Sequence, residues 1–318
     1  MQHKHNHWRR HAWSNRLQTF LLLTLMGGFL ALLGWILWGV DGLFALWVAG
    51  VLLLFLRPLV SPAWVMRLYG GYPLRPEQAP QLYQILVSLT ERAGLTMVPV
   101  LYYLPGGAVN AFTVGEQRQS AIALSQGLLQ SLELDEVVGV LAHELSHVQS
   151  NDMRVMALAD QIGRMTSLLS LFGLVLLFIN LPLLLLGEAT INWWAILLLI
   201  LAPYLSALAQ LGLSRTREYD ADLNAARLSG DPAGLARALL RIEQLQGGWL
   251  ERMMFPARRM PIPAMLRTHP PIAERVRRLL ALQTEGEAPW PPLVRRRPAP
   301  LPGGRLDPGR WPLGRWWY

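Results

Sequence analysis

The sequence predicts a mostly helical α+β membrane protein, with four transmembrane helices and a cytoplasmic domain containing a small sheet. Three observations predict it. Four long apolar runs fall into two pairs, basic residues flank each pair but not the turns inside them, and short strand-like segments lie between the pairs. Of the 318 residues, 52% are hydrophobic and only 16% are charged, which is too apolar for an ordinary soluble chain.

Residues 1–16 form a basic N-terminal segment with Lys4, Arg9, Arg10 and Arg16, and it also carries His3, His5, His7 and His11. Residues 17–60 are predicted to be a transmembrane hairpin. Its first arm, residues 17–38, has no charge and is long enough to cross a bilayer. The second, Gly42–Leu56, is shorter and spans with help from its flanks or by thinning the bilayer locally. Asp41 and Gly42 form the turn. Residues 168–211 are a second predicted hairpin, built from Leu168–Leu186 and Ile191–Leu211, with Trp193 and Trp194 at the interfacial position that aromatic residues favour. Arg57, Arg67, Arg154, Arg164, Arg215 and Arg217 lie outside the hairpins, and the turns carry only Asp41 and Glu188. The positive-inside rule then predicts a multi-pass protein of the inner (plasma) membrane, with both termini and both soluble segments in the cytoplasm.

The domain is predicted in two parts. In residues 71–167, Leu82, Ile85, Leu86 and Leu89 mark a helix over 80–93; strands are expected at 97–104, 109–114 and 120–124, and a long helix at 133–156. Residues 212–285 form the second part, with helices over 216–228, 232–245 and 271–282. Residues 286–318, rich in Pro, Gly and Arg without a periodic apolar face, are expected to be a disordered tail. The chain has no cysteine, so it has no disulfide, thiolate ligand or thiol nucleophile. The net charge of +8 sits beside the spans and in the tail, where anionic lipid accounts for it, and no specific nucleic acid is expected.

The chemistry concentrates in Leu141-Ala142-His143-Glu144-Leu145-Ser146-His147. His143 and His147 are one helical turn apart, so both imidazoles lie on one face and can hold one zinc ion. Glu144 follows the first ligand, where it can act as general base on a bound water. Four of the seven histidines fall in the first eleven residues, leaving His143, His147 and His269; two of these three stand at ligand spacing around a glutamate. Core packing alone does not call for that arrangement. A third ligand is needed, from His269 or an acid. Ser214–Asp222 follows the fourth run directly, and Glu218 and Asp222 within it are four residues apart on one helix face. Glu218 can ligate the metal, and Asp222 can accept the distal N–H of a ligand histidine.

These residues resemble the HtpX-type membrane zinc endopeptidases, relatives of the CAAX prenyl proteases. The matching segments are His143–His147, Ser214-Arg215 through Glu218-Tyr219 and Ala221-Asp222, Thr268-His269-Pro270 with Arg275, and Asn110-Ala111-Phe112. The resemblance covers roughly residues 15–282. It implies a zincin-like domain with one Zn2+ per chain held by His143, His147 and Glu218, with Glu144 as catalytic base and Asp222 behind the ligands. It further implies that Asn110 and Ala111 bind an extended substrate backbone by strand addition. In that setting His269 is a candidate donor to the oxyanion.

The implied function is zinc-dependent endopeptidase activity on membrane or misfolded proteins at the cytoplasmic face, a proteolytic quality-control role. The alternatives are a specific processing protease and an inactive membrane scaffold or chaperone. Expected partners are protein or peptide substrates and the bilayer, with oligomerisation open.

Overall fold

The computed structural model describes residues 2–55, 61–186, 193–245, 270–285 and 290–294. His269, the turn at 187–192 and nearly all of the tail lie outside the described residues. The described residues belong to two compact units, residues 1–61, 150–223 and 257–275 forming the first, and residues 62–149, 224–256 and 276–318 the second.

In the first unit, helix α1 (Gln2–Phe55) is interrupted at Gly39, where φ is 61° and ψ −136°. Only glycine takes such a conformation without strain. Beside this break a Cβ on Gly42 would run into the Gly34 carbonyl, and one on Gly34 into Leu46, so the two arms approach closely there. Among the described residues, three helices, not four, are long and apolar enough to cross a membrane, which corrects the expected count. The expected first and second runs fall within one of them, Asn15–Leu52. Among the described residues the arm beyond Gly39 runs to Phe55, short of the about 20 residues a separate span needs. The other two candidate spans lie in Asp152–Ile179 and Trp193–Ser229.

Those helices, α6 (Asp152–Ile179) and α8 (Trp193–Ser229), pack with α1 through Met26, Ala159 and Leu213 and, further along, through Leu33, Leu199 and Ala202. Only 22% of each apolar window is buried, so most of its side chains face outward and need lipid around them. α8 also corrects the expected gap between a span and a separate helix. It runs unbroken through Gly212 to Ser229, because one glycine inside a helix costs only about 1 kcal/mol.

The second unit contains α2 (Pro62–Leu68), β1 (Tyr72–Pro73), α3 (Pro80–Ala93), β2 (Val100–Leu104), β3 (Ala111–Glu116), β4 (Gln119–Ser125), α4 (Gln126–Ser131) and α5 (Leu134–Gln149). After α8 it adds α9 (Pro232–Leu245) and most of α10 (Ile272–Glu285); α7 (Leu181–Leu185) belongs to the first unit. The amphipathic helix at 80–93 forms as expected, with Pro80 at its start and Gly94 in the left-handed conformation closing it. The sheet order is β1-β2-β4-β3, with β2 and β4 parallel and the other pairs antiparallel. β1 is only two residues long and half proline, too short for alternation to signal it. β3 stands last in the sheet, paired with β4 so that Thr113 lies opposite Ile122. Leu86, Leu89, Leu101, Ile122, Leu124, Leu141 and Leu145 are fully buried in this unit.

The expected helix over 133–156 is two helices. α5 ends at Gln149, and Asn151, in the left-handed conformation (φ 53°), begins α6. Asparagine tolerates that conformation better than other residues with a side chain. Of the segment expected to be a tail, Trp290 and Pro291 have a defined place. The Arg92 guanidinium donates to the carbonyls of Leu228 (2.7 Å) and Pro291 (3.1 Å) and lies 5.5 Å from the Trp290 ring centre.

Candidate metal centre

α5 carries the histidine pair and is anchored at several points. Glu136 accepts a hydrogen bond from the Glu133 N–H (2.9 Å), the returning half of a capping box. Gly139 faces α9 so closely that a Cβ there would come within 2.8 Å of the Leu235 backbone. Arg237 pairs with Asp135 at 2.5 Å and Arg241 with Glu136 at 3.2 Å. At the far end Gln149 donates to the Ala93 carbonyl at 2.8 Å. Thirteen of the sixteen residues of α5 are buried, so its side chains have little freedom to move.

On this helix the Nε2 atoms of His143 and His147 are 3.2 Å apart, with the rings edge to face. Two nitrogens bound tetrahedrally to one zinc at about 2.0–2.1 Å would be separated by about 3.3 Å. The donor pair therefore fits. Glu144, between them, is buried. Its Oε2 accepts a hydrogen bond from Thr113 Oγ1 at 2.8 Å.

The acidic segment lies on α8. Arg275 donates to both oxygens of Asp222 (2.8 and 2.7 Å) and pairs with Glu218 Oε2 at 3.2 Å. Arg217 pairs with Asp152 and, at 3.3 Å, with Asp220, which accepts at 3.5 Å from Asn15. Glu218, Asp222, Arg217, Asp152 and Arg275 are all buried. Ion pairs this dry depend on mutual compensation, since removing one partner leaves an unbalanced charge.

Ligand atoms of His143, His147 and Glu218 all lie within 4.8 Å of one another, a group able to coordinate a metal ion. Residues 76–283 match Peptidase family M48. The chain belongs to that family. It is similar to a protease HtpX homolog of Sulfurihydrogenibium sp. (strain YO3AOP1), 32% identical over 289 residues, covering 84% of this chain and 95% of that one. Similarity to protease HtpX of Legionella pneumophila (strain Corby) is 34% over 292 residues, 84% of this chain and 99% of the other. A crystal structure of S. mikatae Ste24p aligns with 84% of this chain and 66% of its own, at 23% identity and a TM-score of 0.43. This M48 peptidase is thus a membrane-associated metalloendopeptidase, as its motif and apolar helices imply.

The remaining site residues expected from the sequence are placed as follows. Ala111 opens β3 opposite Leu124. Asn110 stands just ahead of the strand, its N–H donating to Ser125 Oγ (2.8 Å) and its carbonyl accepting from the Ser125 N–H (3.0 Å). His269 lies outside the described residues. Sequence reasoning missed Thr113 altogether. Its one signal was a polar residue in an otherwise apolar run, Ala111 to Val114, and a threonine is unremarkable in a strand.

Proposed function

We propose that this M48 peptidase holds one zinc ion through His143, His147 and Glu218 and hydrolyses peptide bonds of membrane or misfolded proteins at the cytoplasmic face of the inner membrane. The 3.2 Å separation of the two imidazole nitrogens, with the buried Glu144 carboxylate between them in sequence, is the observation that carries this reading. Zinc when bound supplies a Lewis acid that polarises the scissile carbonyl and acidifies water. Glu144 takes a proton from the attacking water and passes it to the leaving nitrogen.

Arg275 pairs with Glu218 and steadies its carboxylate beside the histidines, and Asp222 holds Arg275 in that position. Asn110 and Ala111 receive the substrate backbone along β3, a role favoured by the position of β3 at the end of the sheet. His269 donates to the oxyanion, a role carried by the family resemblance. The cytoplasmic orientation rests on the arginines outside the apolar runs.

Glu144→Gln is expected to keep its zinc while losing hydrolysis of a fluorogenic peptide by about 10²–10⁴-fold. Glu218→Ala is expected to lose zinc in metal analysis. Near-normal turnover by zinc-loaded Glu144→Gln would remove Glu144 as base, and unchanged zinc in Glu218→Ala would remove that ligand. The chain has no cysteine, so single cysteines at Ser150 and Glu188 report sidedness cleanly; labelling from outside at 150 with protection at 188 would reverse the orientation.

A further inference from the structure

We infer that Thr113 is a positioning residue for peptide hydrolysis: it holds the Glu144 carboxylate by one oxygen and leaves the other to handle the proton. This rests on the reading of Glu144 as general base.

Thr113 sits in the middle of β3, fixed by pairing opposite Ile122, and its side chain is buried. A β-branched residue in a strand has restricted χ1, so the hydroxyl direction is set by the strand. Its Oγ1 lies 2.8 Å from Glu144 Oε2 and 3.3 Å from the Glu144 backbone carbonyl. The hydroxyl has one proton to donate, and the nearer, charged carboxylate oxygen is the stronger acceptor. Glutamate is a long side chain with several rotatable bonds, and holding it in one rotamer costs conformational entropy. The Thr113 hydrogen bond meets that cost before substrate arrives.

The consequence is a division of labour between the two carboxylate oxygens. Oε2 accepts from Thr113 throughout. Oε1 receives the proton of the attacking water as the water oxygen bonds to the carbonyl carbon, and the same proton goes to the nitrogen as the C–N bond breaks. The Thr113 proton stays on its own oxygen, so the residue acts through Glu144 and undergoes no net change.

Thr113→Val keeps shape and strand preference but removes the donor, and Thr113→Ser keeps the donor. With a fluorogenic peptide, Thr113→Val is expected to lose about tenfold in kcat, the effect of one hydrogen bond to a charged group. KM should stay within about twofold, and zinc content and unfolding temperature near the parent values. Thr113→Ser should recover kcat to within about threefold. In the Glu144→Gln background, Thr113→Val should cause no further loss. Thr113→Ala is a second donor-less variant should valine disturb folding. Full kcat in a folded donor-less variant would overturn the inference, as would a serine variant as slow as valine. An active Glu144→Gln enzyme would instead remove the reading beneath it, so the two failures are separable.

Discussion

Helix α5 and the 214–222 stretch of α8 both contribute side chains to the group able to coordinate a metal, but they are held by different forces. Beyond the ion pairs of its first turn, α5 sits in apolar packing, with Gly139 against the Leu235 backbone and Leu141 and Leu145 fully buried. The α8 stretch is surrounded by charge: Arg217 between Asp152 and Asp220, and Arg275 between Glu218 and Asp222. Packing fixes a helix through many small contacts, none of them decisive. A buried charge cluster concentrates the same task in a few groups, so single substitutions there have larger effects.

Arg275→Ala is the severest way to break this contrast. It leaves two buried carboxylates without their guanidinium, and the expected loss is about 3–5 kcal/mol, read by denaturation in detergent. Lysine at the same place should recover only part of it, because it cannot bind Asp222 through two parallel hydrogen bonds. A loss below about 1 kcal/mol would mean that charge does not hold α8. On α5 the corresponding probe is steric. Gly139→Val is expected to cost about 1–3 kcal/mol by forcing α9 away, with Gly139→Ala smaller. An equal or larger cost than Arg275→Ala would erase the distinction. The smallest effect is expected at Arg241, whose guanidinium is exposed and whose buried partner Glu136 keeps the hydrogen bond from the Glu133 N–H. Arg241→Ala should lose less than about 1 kcal/mol, falling further in high salt.

The same difference explains what could be read from the sequence. The grouping of His143 with His147 was legible because coordination chemistry imposes a spacing within one helix. Glu218 was legible because a metal with two histidines requires another donor, and an acidic helix followed the last apolar run. Thr113 was not, because its role arises only when β3 and α5 come together, and strand pairing leaves no local mark of its neighbour. Helix boundaries failed for local reasons. Asn151 ends a run that shows no Gly or Pro until Gly163, and Gly212 fails to end one. The number of spans was miscounted because hydropathy measures runs of residues, while Gly39 and the short arm beyond it decide what is long enough to cross.

α8 is a ruler as well as a scaffold. It is 37 residues long, and at about 1.5 Å per residue it measures about 55 Å against a hydrocarbon layer of about 30 Å. If the apolar part starting at Trp193 occupies the layer with about 20 residues, Glu218 stands about six residues, or about 9 Å, beyond its edge. Cleavage would then take place at headgroup depth. A bond deep in the acyl chains would have to be drawn outward before it could be cut, and one far out in the aqueous phase would have to be brought in. On that placement the reach of the site would be set by bilayer thickness, and a membrane that thickens or thins by a few ångströms would change which stretches of a substrate lie within cutting distance.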